Sequence, residues 1–105
     1  MLKEIRDCFQ SDKFLFSQHA RDEMEAEECG EIKGKEVHEA VLSGKLIESY
    51  PEDEPYPSCL LYGRTSDKRP RHIVCAYSRE DNMVIVITVY QPDPEKWIDC
   101  ERRKT

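Results

Sequence analysis

Apolar residues recur at helical spacing where the chain opens: Leu2, Ile5 and Phe9 within MLKEIRDCF predict a short amphipathic helix over Met1–Phe9. Gln10–Lys13 then reads as a connection. Ser17 is suited to cap a second helix over Gln18–Cys29, which Gly30 can end in a left-handed conformation. Ala20 and Met24 are its clearest inward positions. A third helical pattern, Lys35–Ser43, places Val37, Ala40 and Val41 on one face, and Gly44 is a natural stop.

The period changes in the second half. Leu46–Tyr50 predicts a first, short strand, and the proline-rich, charged PEDEPYP run over Pro51–Pro57 then excludes either regular element. Ser58–Arg64 and Pro70–Ser78 read as strands joined by a polar loop. Met83–Tyr90, MVIVITVY, is the densest β-branched and aromatic run in the chain. Neighbouring strands with short loops predict an antiparallel meander. Pro94 can open a last helical turn, with Trp97 docking on the sheet. The expected fold is therefore α+β, with N-terminal helices packed on a short antiparallel sheet in a single domain over residues 1–105.

A chain of 105 residues has the length of one domain. It contains no run near the roughly 20 apolar residues of a membrane span and no basic-then-apolar leader, so the expectation is a soluble, cytoplasmic protein without a membrane partner. Cys8, Cys29, Cys59, Cys75 and Cys100 form no CxxC pair, and reduced thiols are expected, with a dispersed Cys/His metal site the alternative. The formal net charge of −6 argues against non-specific coating of nucleic acid. Its distribution adds to that picture. Residues 1–57 carry 7 Lys/Arg against 15 Asp/Glu, net −8, and residues 58–105 carry 9 against 7, net +2. The sheet half could hold a local anion site.

Two histidines stand out chemically. His19 falls near the start of the second predicted helix, where the dipole favours a neutral imidazole; it is either a base or a surface residue paired with Glu23. His72 alternates away from Ile73, Cys75 and Tyr77, and a loop centred near Asp67 sets it opposite Tyr62. His38 has no special partner and is expected in solvent. Arg64, Lys68, Arg69 and Arg71 gather around one loop, and Arg102, Arg103 and Lys104 at the end. If the tail folds back, Arg71, His72, Tyr90 and the tail could form a phosphate-binding concavity. Solvated arginines are the plain alternative. No HExxH, GxSxG, GxGxxG or P-loop motif occurs.

The ordered runs FSQHARDEM (Phe16–Met24), EVHEAVLSGKLIESYPEDEPYPSCLLYG (Glu36–Gly63), RHIVCAY (Arg71–Tyr77) and VITVYQPDPEKW (Val86–Trp97) resemble a bacterial domain family of unknown function, DUF4258. That family is grouped by fold with the RelE/ParE-type toxins of toxin–antitoxin modules. The resemblance covers about 80% of the chain, residues 16–104. It implies a metal-independent RNA endonuclease that needs no cofactor and uses the RNA's own 2′-hydroxyl. His19 and His72 would move protons, Tyr90 would orient or donate, and Arg71, Arg102 and Arg103 would hold phosphate. Expected partners are an antitoxin-like protein and RNA or a ribosome. The alternative is a non-catalytic protein-binding domain whose acidic Asp22–Glu31 stretch faces a basic partner.

Overall fold

The computed structural model describes residues 1–28 and 30–104. Ten elements follow in chain order: α1 (Leu2–Gln10), β1 (Phe14–Phe16), α2 (Gln18–Ala26), α3 (Gly34–Ser43), β2 (Lys45–Tyr50), β3 (Ser58–Arg64), β4 (Pro70–Ser78), β5 (Met83–Tyr90), β6 (Trp97–Ile98) and β7 (Arg102–Arg103). The main sheet runs β1-β5-β4-β3-β2, and β6 with β7 forms a separate hairpin.

This order overturns the expected short antiparallel sheet beneath N-terminal helices. The sheet has five strands and is mixed, because β1 joins it parallel to β5, with Phe14 opposite Val84 and Phe16 opposite Val86. The physical reason lies at the edge of β5. Without a neighbour, that edge would present unpaired N–H and C=O groups. β1 pairs with its first part, and side chains at the start and along the length of α2 pair with the rest. Ser17 donates its amide to Val86 O (2.9 Å) and its hydroxyl to Ile87 O (3.1 Å). Glu23 and Glu27 carboxylates then accept the amides of Val89 (3.1 Å) and Gln91 (3.3 Å). Two of the acidic residues of α2 and its C-cap thus serve as ladder acceptors.

Ser17 caps α2, accepting from the Ala20 amide at 3.0 Å. The helix ends at Ala26, short of the predicted Cys29, because Glu27 turns to extended backbone and the Ile32 amide closes back on Met24 O at 2.8 Å. Gly30 does adopt a positive φ of 113°, but beyond the helix; Cys29 lies outside the described residues.

α1, α2 and α3 cover one face of the sheet. Ile5, Cys8, Phe9, Ala20, Met24, Val37, Ala40 and Val41 pack there against Cys59, Leu61, Ile73, Cys75, Val84, Val86 and Val89. Gly63 permits this approach. A Cβ on it would fall 1.9 Å from the Ala40 carbonyl oxygen, so α3 can lie on β3 only where β3 has no side chain. On the opposite face, Leu60, Tyr62, His72 and Ala76 are also buried. No helix among the described residues is long and apolar enough to cross a membrane.

Candidate functional site

The polar side chains of the second face converge where the C-terminal segment crosses it. Asp93 O accepts from the amides of Lys96 (2.9 Å) and Trp97 (3.1 Å), closing a single turn after Pro92. That is the helical turn expected at Pro94, and the chain then makes the β6–β7 hairpin, with Trp97 opposite Arg103 and Ile98 opposite Arg102. Its three-residue connection runs Asp99 (φ 53°), Cys100 (φ 64°) and Glu101, and the turn centred on the first two is closed by Glu101 N donating to Ile98 O at 3.0 Å. That is a primed hairpin turn, built here with two residues that have side chains.

His72 fastens the turn to the sheet. Its Nε2 lies 2.6 Å from Cys100 O, and its Nδ1 lies 3.1 Å from the Tyr90 hydroxyl. A carbonyl can only accept, so Nε2 carries the proton and Nδ1 is the acceptor of the Tyr90 O–H. The ring is fully buried between Trp97, Tyr90 and Tyr62, at centroid distances of 4.4, 5.2 and 5.9 Å. Burial pushes its pKa down, and the hydrogen bond to Cys100 O only partly opposes this. Burial likewise pushes the Tyr90 phenol up to about 12. A neutral phenol therefore donates to a neutral imidazole, itself oriented by a backbone carbonyl. Chemically this is a base-backed hydroxyl.

Tyr90 also lines a cleft of about 350 Å³ with Gln91, Asp93, Lys96, Trp97 and Arg103. The Arg103 guanidinium stacks 4.7 Å from the Trp97 ring centroid. Its Nε and Nη2 donate to the two carboxylate oxygens of Glu48 at 2.7 and 3.0 Å. The Tyr50 hydroxyl adds a 2.5 Å bond to Glu48 Oε1. Hydrogen bonding from Arg103 is the main reason the Glu48 carboxyl sits below the usual range.

The residues singled out from the sequence are distributed unequally. His72, Tyr90 and Arg103 meet in this cluster, and His72 stands opposite Tyr62 in the register expected for it. Arg102 is exposed on β7. Arg71 belongs to the other face: it is buried and donates to Glu36 Oε1 of α3 (3.1 Å), to Gln91 Oε1 (2.9 Å) and to Pro70 O (2.8 Å). His19 is exposed on α2, which covers the helix-side face, and its Nε2 lies 3.4 Å from Glu23 Oε1. It has no contact with His72. His38, expected in solvent, is half-buried with Nε2 3.2 Å from Phe9 O. Sequence reasoning missed Glu48 and Tyr50: alternation on β2 groups them with Leu46, and a bulge at Ile47 turns both to the opposite face.

Cys8, Cys59, Cys75 and Cys100 are free thiols. Burial raises Cys59 to about 11 and Cys75 well above the ordinary value, so both are inert. Among the described residues no three His, Cys, Asp or Glu side chains converge as a metal site.

Comparison with curated proteins and with solved structures gives no match. The model of one family, described as a domain of unknown function (DUF4258), matches residues 16–91, from the end of β1 to the residue after β5, and leaves the hairpin outside. This chain belongs to the DUF4258 family.

Proposed function

We propose that this domain is a toxin-like, metal-independent RNA endonuclease, functionally akin to the RelE/ParE group, whose site is the cleft under the C-terminal hairpin. The carrying observation is the Tyr90 hydroxyl, hydrogen-bonded to a buried neutral His72 at the wall of a cleft that also holds Lys96 and Arg103. In this reading a ribose 2′-hydroxyl gives its proton to the Tyr90 oxygen as Tyr90 passes its own to His72 Nδ1. The 2′-oxygen bonds to phosphorus, the bond to the 5′-oxygen breaks, and water protonates the leaving oxygen. The products are a 2′,3′-cyclic phosphate and a 5′-hydroxyl. Cys100 O and the nearby Glu48 carboxylate favour the imidazolium that forms. Lys96 and Arg103 neutralise charge on the phosphorane. The overall acidity of the chain restricts RNA to this local patch, as on a ribosome.

The test is single-stranded RNA incubated with purified protein in chelator, with and without ribosomes. The wild type is expected to release 2′,3′-cyclic ends, and Tyr90→Phe to lose on the order of 100-fold in rate. Intact RNA with folded wild-type protein, or an undiminished Tyr90→Phe, overturns the reading.

One observation favours a second reading, a non-catalytic domain that binds an antitoxin-like protein. Asp22, Glu25 and Glu28 are exposed on and just after α2, a surface suited to a basic segment. Co-purification of a basic neighbour that is lost on charge reversal there, together with inert RNA assays, would select it.

A further inference from the structure

The Nε–Nη2 edge of the Arg103 guanidinium is already occupied. Its Nε and Nη2 address both oxygens of Glu48 at 2.7 and 3.0 Å, the two-pronged geometry that arginine offers a phosphodiester. Glu48 comes from the bulged edge strand β2, whereas Arg103 rims the cleft from β7. The pair is not locked away. Arg103 is 61% exposed and Glu48 24% exposed, so the bridge forms and breaks at small cost. Arg103 is held independently of Glu48 by its stacking on Trp97, and Glu48 independently of Arg103 by the Tyr50 hydroxyl. Each partner therefore stays in position when the bridge opens.

We propose that Glu48 is an internal anion that competes with a substrate phosphodiester for Arg103, so that a phosphate takes the two-pronged Nε–Nη2 edge only by displacing the carboxylate. This rests on the reading of the cleft as an RNA site and names its phosphate subsite and its gate. An internal competitor lowers apparent affinity by the fraction of time it occupies the fork. Substrates that bring several phosphates into the patch displace it, and single small anions do not. The bidentate carboxylate thereby sets a threshold for chain-like polyanions over mononucleotides.

The experiment measures binding of a 2′-deoxy single-stranded oligonucleotide, which presents phosphodiesters but cannot be cut by 2′-attack, to four proteins: wild type, Glu48→Gln, Arg103→Gln and the double variant. Glutamine keeps the length of Glu48 and can still accept from Tyr50. The expected result is affinity raised about two- to fivefold by Glu48→Gln, the span of an exposed ion pair, lowered by Arg103→Gln, and no gain from Glu48→Gln once Arg103 is gone. Wild-type binding without gain in Glu48→Gln overturns the gate and leaves the cleft. An equal gain in the Arg103→Gln background also overturns it, since it would report only the removal of a negative charge. No binding by wild type and Glu48→Gln alike overturns the cleft as a nucleic-acid site, and the gate with it.

Discussion

The helix-covered face of the sheet and the hairpin-covered face are both buried, yet by different chemistry. Under the helices, apart from the buried Arg71–Glu36 pair, the contacts are chiefly aliphatic and thiol side chains, Cys59, Leu61, Ile73, Cys75, Val84 and Val86, closed by three helices. Under the hairpin they are Tyr62, His72 and Tyr90, closed by Trp97 and the rest of two strands of two residues each. The first face gains free energy in proportion to apolar area removed from water. The second must satisfy each polar atom it buries, and it does so through single bonds such as Nε2 of His72 to Cys100 O. Away from the Arg71–Glu36 pair, the first face is therefore sensitive to volume, and the second to hydrogen-bond partners and protonation.

Volume is tested most severely at Gly63. Gly63→Ala puts a methyl group where only 1.9 Å separates it from Ala40 O, against backbone that cannot step aside without moving α3. The expected loss is about 3 kcal/mol or more, read as a drop in the urea midpoint at unchanged slope. A loss under about 1 kcal/mol would mean that α3 is not seated against β3 as described.

Protonation is tested at His72. Because burial lowers its pKa, the folded protein holds this proton less readily than the unfolded chain, whose imidazole titrates near 6.5. Stability contributed by the neutral ring is thus fully present above about pH 6.5 and is lost as pH falls from there to the folded-state value, at no more than about 1.4 kcal/mol per pH unit. His72→Phe keeps an aromatic ring but leaves the Tyr90 hydroxyl and Cys100 carbonyl unpaired. It should cost about 2 kcal/mol at pH 8 and remove the component of the pH dependence just below 6.5. Parallel stability curves for the two proteins between pH 5 and 8 would contradict the lowered pKa of the buried ring.

The helix face was also the more legible in the sequence. Periodicity placed β3, β4 and β5 at their observed bounds and Val37, Ala40 and Val41 inward, since apolar spacing is a local signal repeated over many residues. Ser17 was legible as a cap because its bond reaches only to Ala20. Phe14–Phe16 was not legible as a strand. Three residues carry no period, and their partner β5 lies far along the chain. The hairpin escaped for a related reason: Asp99 and Cys100 are poor advertisements for a primed turn, and what holds them there is a contact from His72. Glu48 and Arg103 are separated by most of the sheet, so no spacing rule could join them. Single long-range polar contacts make the site, and these leave the weakest trace in a sequence.

The edge of β5 carries the smallest expected effect and joins the two kinds of burial, because a helix from the apolar face supplies polar partners there. Glu23 Oε1 accepts the Val89 amide at 3.1 Å, and Glu23 is only partly exposed. Glu23→Ala leaves that amide to water or unpaired, while Ala20 and Met24 continue to hold α2 on the core. The expected cost is about 1 kcal/mol, with hydrogen exchange at Val89 accelerated several-fold and exchange in β3 unchanged relative to global unfolding. Asp22→Ala, one residue away and facing solvent, is the matched control and should move neither quantity. If the two variants behaved alike, the acidity of α2 would have no part in closing the sheet, and its carboxylates would all be available to a basic partner.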